Sequence, residues 1–275
     1  MLQPPDQRPA CRRPDTETGK PAAANPSRRI LLVQTSYLGD TILSTPLIAA
    51  LHQLHPRAEL WMMTTPAGAE LVQRDPRLQK VIAFDKRDRD KGIAGLLRMS
   101  RHLRRLRFDR AYALQRSYRT ALMLWLSGIG YRTGFRSARG SFLYNARLPR
   151  NPHHHDVRRN LSLLTGEAPL AALRTEMRLF PPSVDSIDPG LARHIKPQRP
   201  YVLLVPGSAW ATKRWHGAHY RVVADRLIHQ GYRVILMGAA ADQRVNRQVA
   251  RGLPVVDLTA RTSVAEAMTL GQHAA

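Results

Sequence analysis

The sequence predicts an α/β protein built from two doubly wound domains with parallel sheets, the second of them incomplete. Short apolar segments alternate with helical stripes of leucine from residue 29 onward, and a second strand–helix series begins at Tyr201. The 275 residues suit two domains of ordinary size, and a hydrophobic fraction of 43% is enough for packed cores. We therefore expect a disordered basic tail over residues 1–28, one domain over residues 29–180 and another over residues 181–275.

The first strand–turn–helix unit holds the first candidate for chemistry. Residues 30–34 (ILLVQ) are typical of a strand buried on both faces, and leucines at helical spacing follow from Leu43. The turn between them ends at Asp40, and such turns in open parallel sheets bind ligands. Two roles remain open for Asp40: it caps the helix, or it acts as a general base towards a sugar hydroxyl. Pro46 fits the first turn of this helix or a kink within it.

The rest of the first domain repeats the pattern. Strands are predicted at residues 59–64, 81–84, 111–115 and 131–135, and helices at residues 66–74, 92–107, 117–126 and 156–164. Residues 138–151 predict an irregular connection, and residues 174–179 a possible strand in the bridge to the second domain. The histidines at residues 153–155 favour a polar helix start over a metal site, because adjacent helical positions face different directions.

The second domain holds the other candidate for chemistry. Its predicted strands are residues 201–205, 232–237 and 255–258, and its predicted helices are residues 218–230, 241–251 and the segment that Ser263 caps. The loop after the first of these strands gathers Ser208, Thr212 and Lys213, which suits a diphosphate; the alternative is an ordinary exposed lysine. The loop lacks the second glycine of a Walker A motif, and neither turn has the spaced glycines of a dinucleotide fingerprint.

The charge of the chain indicates an anionic partner. Lys and Arg number 43 against 20 Asp and Glu, a net charge of +23, which predicts nucleic acid, an anionic membrane surface or a phosphorylated substrate. The arginines between residues 98 and 107 form either a solvated helix face or a contact with anionic lipid or another polyanion. The lone Cys11 excludes an intramolecular disulfide and fits a reducing compartment. A segment needs about 18 apolar residues to span a bilayer, and no apolar segment of this sequence is that long, so we expect a soluble cytoplasmic protein.

Two motifs together resemble a known family. The turn SYLGDTILSTP (residues 36–46) and the loop PGSAWATKRW (residues 206–215) resemble glycosyltransferase family 9, in particular its lipopolysaccharide heptosyltransferases of type II. RTGF (residues 132–135) and DLT (residues 257–259) fall where the family has similar elements. The resemblance spans residue 29 to the last residue. It implies a GT-B fold, in which two Rossmann-like domains face each other across a cleft.

The resemblance also implies an activity and its partners. The donor would be ADP-heptose, the acceptor the phosphorylated inner core of lipopolysaccharide, and the reaction inverting, with no metal and no cofactor beyond the donor substrate. Asp40 would be the catalytic base, Lys213 would bind the donor diphosphate beside Thr212 and Ser208, and Asp242 would hold the ribose. We assign acceptor binding to Arg116, Arg119 and Arg136. The protein would be peripheral on the cytoplasmic face of the inner membrane.

Two other interpretations remain at this point. The family continues with a strand and a D-[ST]-G-x-x-H loop that has no counterpart up to Ala275, so the sequence also predicts a truncated, inactive heptosyltransferase. A basic nucleic-acid-binding protein is the other alternative. It is disfavoured because no binding motif is present and aromatic residues are only 6%, so stacking platforms are scarce.

Overall fold

The computed structural model describes residues 28–195, 200–208 and 210–275. The basic tail expected over residues 1–28 therefore lies outside the described residues, apart from Arg28.

Two parallel sheets organise the described part of the chain. The strands are β1 (Arg29–Gln34), β2 (Glu59–Thr64), β3 (Lys80–Ala83), β4 (Arg110–Ala113), β5 (Tyr131–Phe135), β6 (Ala146–Leu148), β7 (Tyr201–Leu204), β8 (Arg233–Leu236) and β9 (Val256–Asp257). The first sheet has six strands in the order β3-β2-β1-β4-β5-β6, and the second has three in the order β7-β8-β9. The predicted α/β class with parallel sheets is confirmed. The domain boundary near residue 180 stays a prediction.

Helices cover both faces of the sheets. They are α1 (Leu38–Ile42), α2 (Thr45–Leu54), α3 (Pro66–Val72), α4 (Gly92–Leu106), α5 (Tyr118–Leu126), α6 (Asp156–Leu161), α7 (Pro189–Ala192), α8 (Gly217–His229), α9 (Gln243–Ala250) and α10 (Val264–Gln272). In the first sheet, α2, α3 and α6 pack on one face and α4 and α5 on the other. The chain changes face between β3 and β4, so the strand order reverses at the β1–β4 pair, where open sheets form their ligand crevice.

The central strand shows why this sequence folds as a two-faced sheet. Ile30 and Leu32 point into the core under α2 and α3, whereas Leu31 and Val33 point into the core under α4 and α5. All four side chains are at most 1% exposed. A continuous apolar run, rather than an alternating one, is what a strand covered on both faces requires.

The structure corrects two predictions in the first domain. Residues 138–151 are not wholly irregular, because β6 pairs with β5 at the edge of the sheet; its three residues carry too little apolar pattern to reveal it. Residues 174–179 form no strand. The backbone amide of Arg178 instead donates to Thr45 Oγ1 (3.3 Å), beside the start of α2, so the segment crosses a helix rather than joining a sheet.

The predicted helix behind the first turn is divided in two. α1 ends at Ile42 and α2 begins at Thr45, with Ser44 Oγ donating to the carbonyl of Thr41 (2.7 Å) at the break. Pro46 lies in the first turn of α2, as expected. Backbone amides in the first turn of a helix have no partner within the helix, so the missing amide hydrogen of Pro46 costs no hydrogen bond there.

The last helix connects the two sheets. Ser263 caps α10 as predicted: its hydroxyl accepts from the Glu266 amide (3.2 Å), and the Glu266 carboxylate accepts from the Ser263 amide (2.8 Å). Leu270 packs in the core of the second sheet, whereas Val264 packs against the core of the first. The amide of Val264 also donates to the carboxylate of Glu70 on α3 (3.0 Å). None of the described helices is both long enough and apolar enough to cross a membrane.

Candidate active site

Asp40 lies within a short helix directly after the central strand. Tyr37 is the N-cap residue of α1, so Asp40 is the third helical residue rather than the cap itself. Its carboxylate Oδ2 accepts from the backbone amide of Tyr37 at 3.2 Å. Among the described residues, no hydrogen bond to the other oxygen, Oδ1, is found. The carboxylate is thus anchored through one oxygen and has the other available.

A cavity of about 320 Å³ opens beside Asp40 at the carboxyl edge of the first sheet. It lies at the switch point, between the ends of β1 and β4. Its lining comes from the segments after β1, β3, β4 and β6: Gln34, Ser36, Asp40, Leu43, Lys86, Leu114, Gln115, Arg116, Ser117, Arg150, Asp156 and Asn160.

Three cations line this cavity together with Asp40: Lys86, Arg116 and Arg150. Lys86 Nζ donates to the carbonyl of Thr35 at 2.6 Å. Burial lowers the pKa of Lys86, and repulsion from nearby arginines lowers it further. The cavity is therefore suited to an anionic ligand that brings a hydroxyl to Asp40.

Arg150 is held in place from two sides. It donates to Asp156 Oδ1 (2.7 Å), and its guanidinium lies over the ring of Phe135, 5.8 Å from the centroid. Burial lowers the pKa of Arg150 and repulsion from Arg159 adds to this, whereas attraction to Asp156 and Asp40 opposes it. Because an arginine stays protonated throughout, Arg150 presents a fixed positive charge to Asp40.

Gln115 joins the two strand ends across the switch point. Its Oε1 accepts from Thr35 Oγ1 (2.7 Å) and Thr120 Oγ1 (3.2 Å), and its Nε2 donates to Ser36 Oγ (2.6 Å). The side chain is buried, so these bonds fix the turn that precedes Asp40.

One of the three predicted acceptor arginines lines the Asp40 cavity. Arg116 lines the cavity. Arg119 does not: it donates to the carbonyl of Asp90 (2.5 Å) and lies over the ring of Phe84. Arg136 is exposed just beyond β5 and is not among the lining residues.

Three residues of the cavity lining were not predicted from the sequence: Lys86, Arg150 and Gln115. Lys86 had a usable signal, because it follows a predicted strand and the carboxyl ends of parallel strands share one edge. Arg150 had none, since it lies at the end of the segment predicted to be irregular.

The loop of the second domain follows β7 and contains a short 3-10 helix, Ala211–Lys213. Ser208 Oγ accepts from the Trp210 amide (3.2 Å), and Arg214 Nε donates to the Ser208 carbonyl (2.7 Å). Thr212 and Lys213 are exposed, and no side-chain hydrogen bond of theirs is found in the described part of the chain. Their functional groups are available to a ligand.

Asp242 lies against this loop. A Cβ at Gly207 would come within 2.1 Å of the Asp242 carboxylate, so only glycine permits this approach. Asp242 Oδ2 accepts from the Ala239 amide (2.9 Å), and the carboxylate lines a cavity of about 280 Å³ with Arg214 and Arg244. Asp242 thus lies beside the loop that was predicted to bind a diphosphate.

An aromatic contact brings the two turns together. The rings of Tyr37 and Trp210 meet edge to face with centroids 6.0 Å apart. Tyr37 belongs to the turn that carries Asp40, and Trp210 to the loop that carries Lys213. The two candidate regions therefore face the same cleft.

The histidine run at residues 153–155 precedes α6, and the ring of His155 accepts from the Val157 amide (3.4 Å) at the helix start. Over the described ranges, no three or more His, Cys, Asp or Glu side chains are gathered as a metal site would need.

Two parallel-sheet domains define the class of protein. One presents a carboxylate in a cationic cavity, and the other presents hydroxyls and a lysine on a loop across the cleft; this is the arrangement of a two-domain glycosyltransferase of GT-B form. The model of glycosyltransferase family 9 (heptosyltransferase) matches residues 96–275. The chain belongs to that family.

Individual relatives agree with the family. The chain is 28% identical over 234 residues to lipopolysaccharide heptosyltransferase 2 of Salmonella typhimurium, covering 82% of this chain and 67% of that protein. Among solved structures, it matches E. coli ADP-heptose lipopolysaccharide heptosyltransferase II with a TM-score of 0.75 and 24% identity, over 90% of this chain and 77% of that one. A family 9 glycosyltransferase from Veillonella parvula gives a TM-score of 0.79 at 19% identity, over 90% and 73% of the two chains. These structures support the two-domain fold.

Proposed function

We propose that this protein transfers heptose from ADP-heptose to the phosphorylated inner core of lipopolysaccharide. Family membership and the names of its relatives support the reaction. The observation that carries the proposal is Asp40 in a cavity walled by Lys86, Arg116 and Arg150. A phosphorylated sugar acceptor needs both a base for its hydroxyl and cations for its phosphate.

Asp40 is the general base in this proposal. Its Oδ1 takes the proton of the acceptor hydroxyl while the hydroxyl oxygen bonds to the anomeric carbon of heptose. The bond from that carbon to the diphosphate oxygen breaks at the same time, so ADP departs and the configuration inverts. The Tyr37 amide holds Oδ2 and so orients the carboxylate, and Arg150 presents its positive charge to it.

The second domain binds the donor, and the first, over residues 29–180, binds the acceptor. Lys213, Thr212 and Ser208 contact the diphosphate, and the cation stabilises the charge that ADP gains on leaving. Asp242 accepts hydrogen bonds from the ribose hydroxyls. Since Lys213 supplies the positive charge, the mechanism uses no metal and no further cofactor.

The basic face of α4 places the enzyme on the cytoplasmic face of the inner membrane, where a lipid-borne acceptor is presented. Arg98 pairs with Asp90 (2.6 Å), and Arg104 donates to the carbonyl of Leu126 (2.6 Å). Arg101 and Arg105 are exposed, and no partner for them is found among the described residues. Their charges are available to anionic lipid headgroups.

A transfer assay tests the function. Purified protein is incubated with ADP-heptose and an inner-core acceptor, and the product is followed by mass spectrometry and ADP release. We expect transfer from ADP-heptose but not from ADP-glucose, and much weaker transfer once phosphatase has removed the acceptor phosphates. No product with any core acceptor, or equal rates before and after phosphatase, would contradict the proposal.

A further inference from the structure

We propose that four exposed apolar side chains beside the Asp40 cavity insert into the anionic bilayer and orient the cavity towards it. We call this surface the apolar rim; it consists of Ile93, Leu97, Tyr118 and Phe142. The inference rests on the proposed membrane docking of α4 and adds to it a defined insertion site.

The rim consists of two pairs of side chains. Ile93 is 75% exposed and Leu97 37% exposed, and they lie one turn apart on α4. Tyr118 is 47% exposed and Phe142 67% exposed, and their ring centroids are 6.4 Å apart. Single exposed apolar residues are ordinary, but adjacent ones make a patch that marks an interaction surface.

The two pairs lie on the same side of the molecule. α4 and α5 pack together on one face of the first sheet. Arg119, the neighbour of Tyr118, donates to the carbonyl of Asp90, three residues before Ile93, at 2.5 Å. The amino-terminal ends of the two helices, which carry Ile93 and Tyr118, are therefore held next to each other.

The rim also adjoins the cavity. Both helices start at the carboxyl edge of the sheet, which is the edge where the Asp40 cavity opens. The backbone amide of Arg139 donates to the carbonyl of Arg116 (3.1 Å), and Arg116 lines that cavity. Phe142 follows three residues after Arg139, so insertion there would bring the cavity to the membrane surface.

Positive charges flank the rim and identify its occupant as an anionic bilayer. Arg101 continues the exposed face of α4, and Arg136 and Arg139 are exposed near Phe142. An apolar patch bordered by arginines is the combination that binds a membrane interface: the side chains enter the acyl boundary while the guanidinium groups remain among the anionic headgroups.

Environment-sensitive dyes test insertion directly. In a Cys11→Ser background, a single cysteine replaces Ile93 or Phe142 and is labelled; Val222, which is 52% exposed on α8, provides the matched control position. With phosphatidylglycerol vesicles, we expect a blue shift and quenching by bromolipid at positions 93 and 142 but not at 222. Dyes at 93 and 142 that remain in an aqueous environment while the protein binds vesicles would overturn the insertion.

A second variant measures the contribution to affinity. Ile93→Ser combined with Phe142→Ser should weaken binding to anionic vesicles about ten-fold, because each change removes an inserting apolar group. Val222→Ser should change nothing, and the double variant should still transfer heptose to a deacylated, soluble core acceptor. If the double variant binds anionic vesicles as tightly as the unaltered protein, insertion of the apolar rim is overturned, but the docking of α4 is not. Failure of the unaltered protein to bind anionic vesicles overturns the docking of α4 as well.

Discussion

Arg150 illustrates how a side chain from an unpatterned segment can complete a site. Its guanidinium faces the Asp40 cavity, and Asp156 and the Phe135 ring hold it there. Arg150→Met should leave the fold intact, because Asp156 keeps Arg159 as a partner at 2.8 Å. We expect the acceptor KM to rise about ten- to a hundred-fold, the usual effect of one lost charge-assisted contact, with little change in donor KM.

Arg136→Met provides the comparison, since Arg136 was also assigned to the acceptor but is not among the lining residues of the cavity. Its effect on acceptor KM should be smaller. If Arg136→Met has the larger effect, the acceptor does not occupy the cavity as proposed.

Lys213 gives the corresponding residue-scale prediction for the donor. Lys213→Ala should weaken ADP binding by about ten- to a hundred-fold, since a charged contact to phosphate contributes about 1.5–3 kcal/mol. Isothermal titration calorimetry measures this, with Lys91→Ala, an exposed lysine at the start of α4, as the control. An ADP affinity equal to that of the unaltered protein would remove Lys213 from the donor site.

At the scale of elements, Asp90 joins the β3–α4 loop to both neighbouring helices. Its buried carboxylate accepts from Arg98, Arg89 and the amide of Asp85, while its carbonyl accepts from Arg119. Burial alone would raise the pKa of Asp90, but these hydrogen bonds to the carboxylate outweigh it and the pKa is lowered. The pKa of an Asp carboxyl in the unfolded chain is about 3.9, so the ionised Asp90 stabilises the folded state above about pH 4. It is lost as the pH falls through the lower pKa of the folded state.

Asp90→Asn should therefore lower the free energy of unfolding by about 2 kcal/mol near neutral pH, and the difference should narrow in acid. Urea unfolding of the variant and of the unaltered protein, at neutral pH and in acid, measures this difference in the free energy of unfolding. The matched control is Asp88→Asn in the same loop, whose exposed carboxylate makes no hydrogen bond found among the described residues. A loss of stability that is the same in acid and at neutral pH would show that the carboxylate charge is not responsible.

The elements also show where sequence reasoning works. β2 and β5 begin and end at the predicted residues. β2 (ELWMMT) carries a continuous apolar run, whereas β5 (YRTGF) has no such run but contains the aromatic and β-branched residues that strands favour. β6 was missed, since an edge strand of three residues needs no such run. The structure explains why residue 134 of the RTGF segment is a glycine: a Cβ at Gly134 would come within 2.3 Å of the Tyr144 ring, which packs against it.

For the site, Asp40 and the Ser208–Lys213 loop could be located because they follow strands that the sequence predicts. Arg116 could be found by the same rule. Lys86 was not predicted. The assignment of Arg119 to the acceptor stays a prediction, and the structure adds that its guanidinium donates to the Asp90 carbonyl. Which side chains turn towards the cavity depends on tertiary packing, which local sequence does not encode.

At the scale of the whole molecule, the net charge of +23 predicts how the protein meets a membrane. Each cation near an anionic surface contributes about 1 kcal/mol, and salt screens the attraction beyond about 8 Å at physiological ionic strength. Binding to phosphatidylglycerol vesicles should therefore weaken steeply as salt is added. Arg101→Gln with Arg105→Gln should weaken it further, since both side chains are exposed on α4.

Sedimentation with vesicles of defined composition measures this binding. Phosphatidylcholine vesicles are the control, and the protein should not sediment with them. Equal binding to neutral and anionic vesicles would rule out an electrostatic contact.

The proposed mechanism depends on Asp40 as the base of the heptose transfer, and the turnover of Asp40→Asn tests this role. Asparagine keeps the size of the side chain and can still accept the Tyr37 hydrogen bond through its Oδ1, but it cannot take the proton. We expect normal folding and ADP affinity, with the rate of transfer from ADP-heptose to the core acceptor lowered about 10²- to 10⁴-fold. Turnover of the Asn variant close to that of the unaltered protein would contradict it.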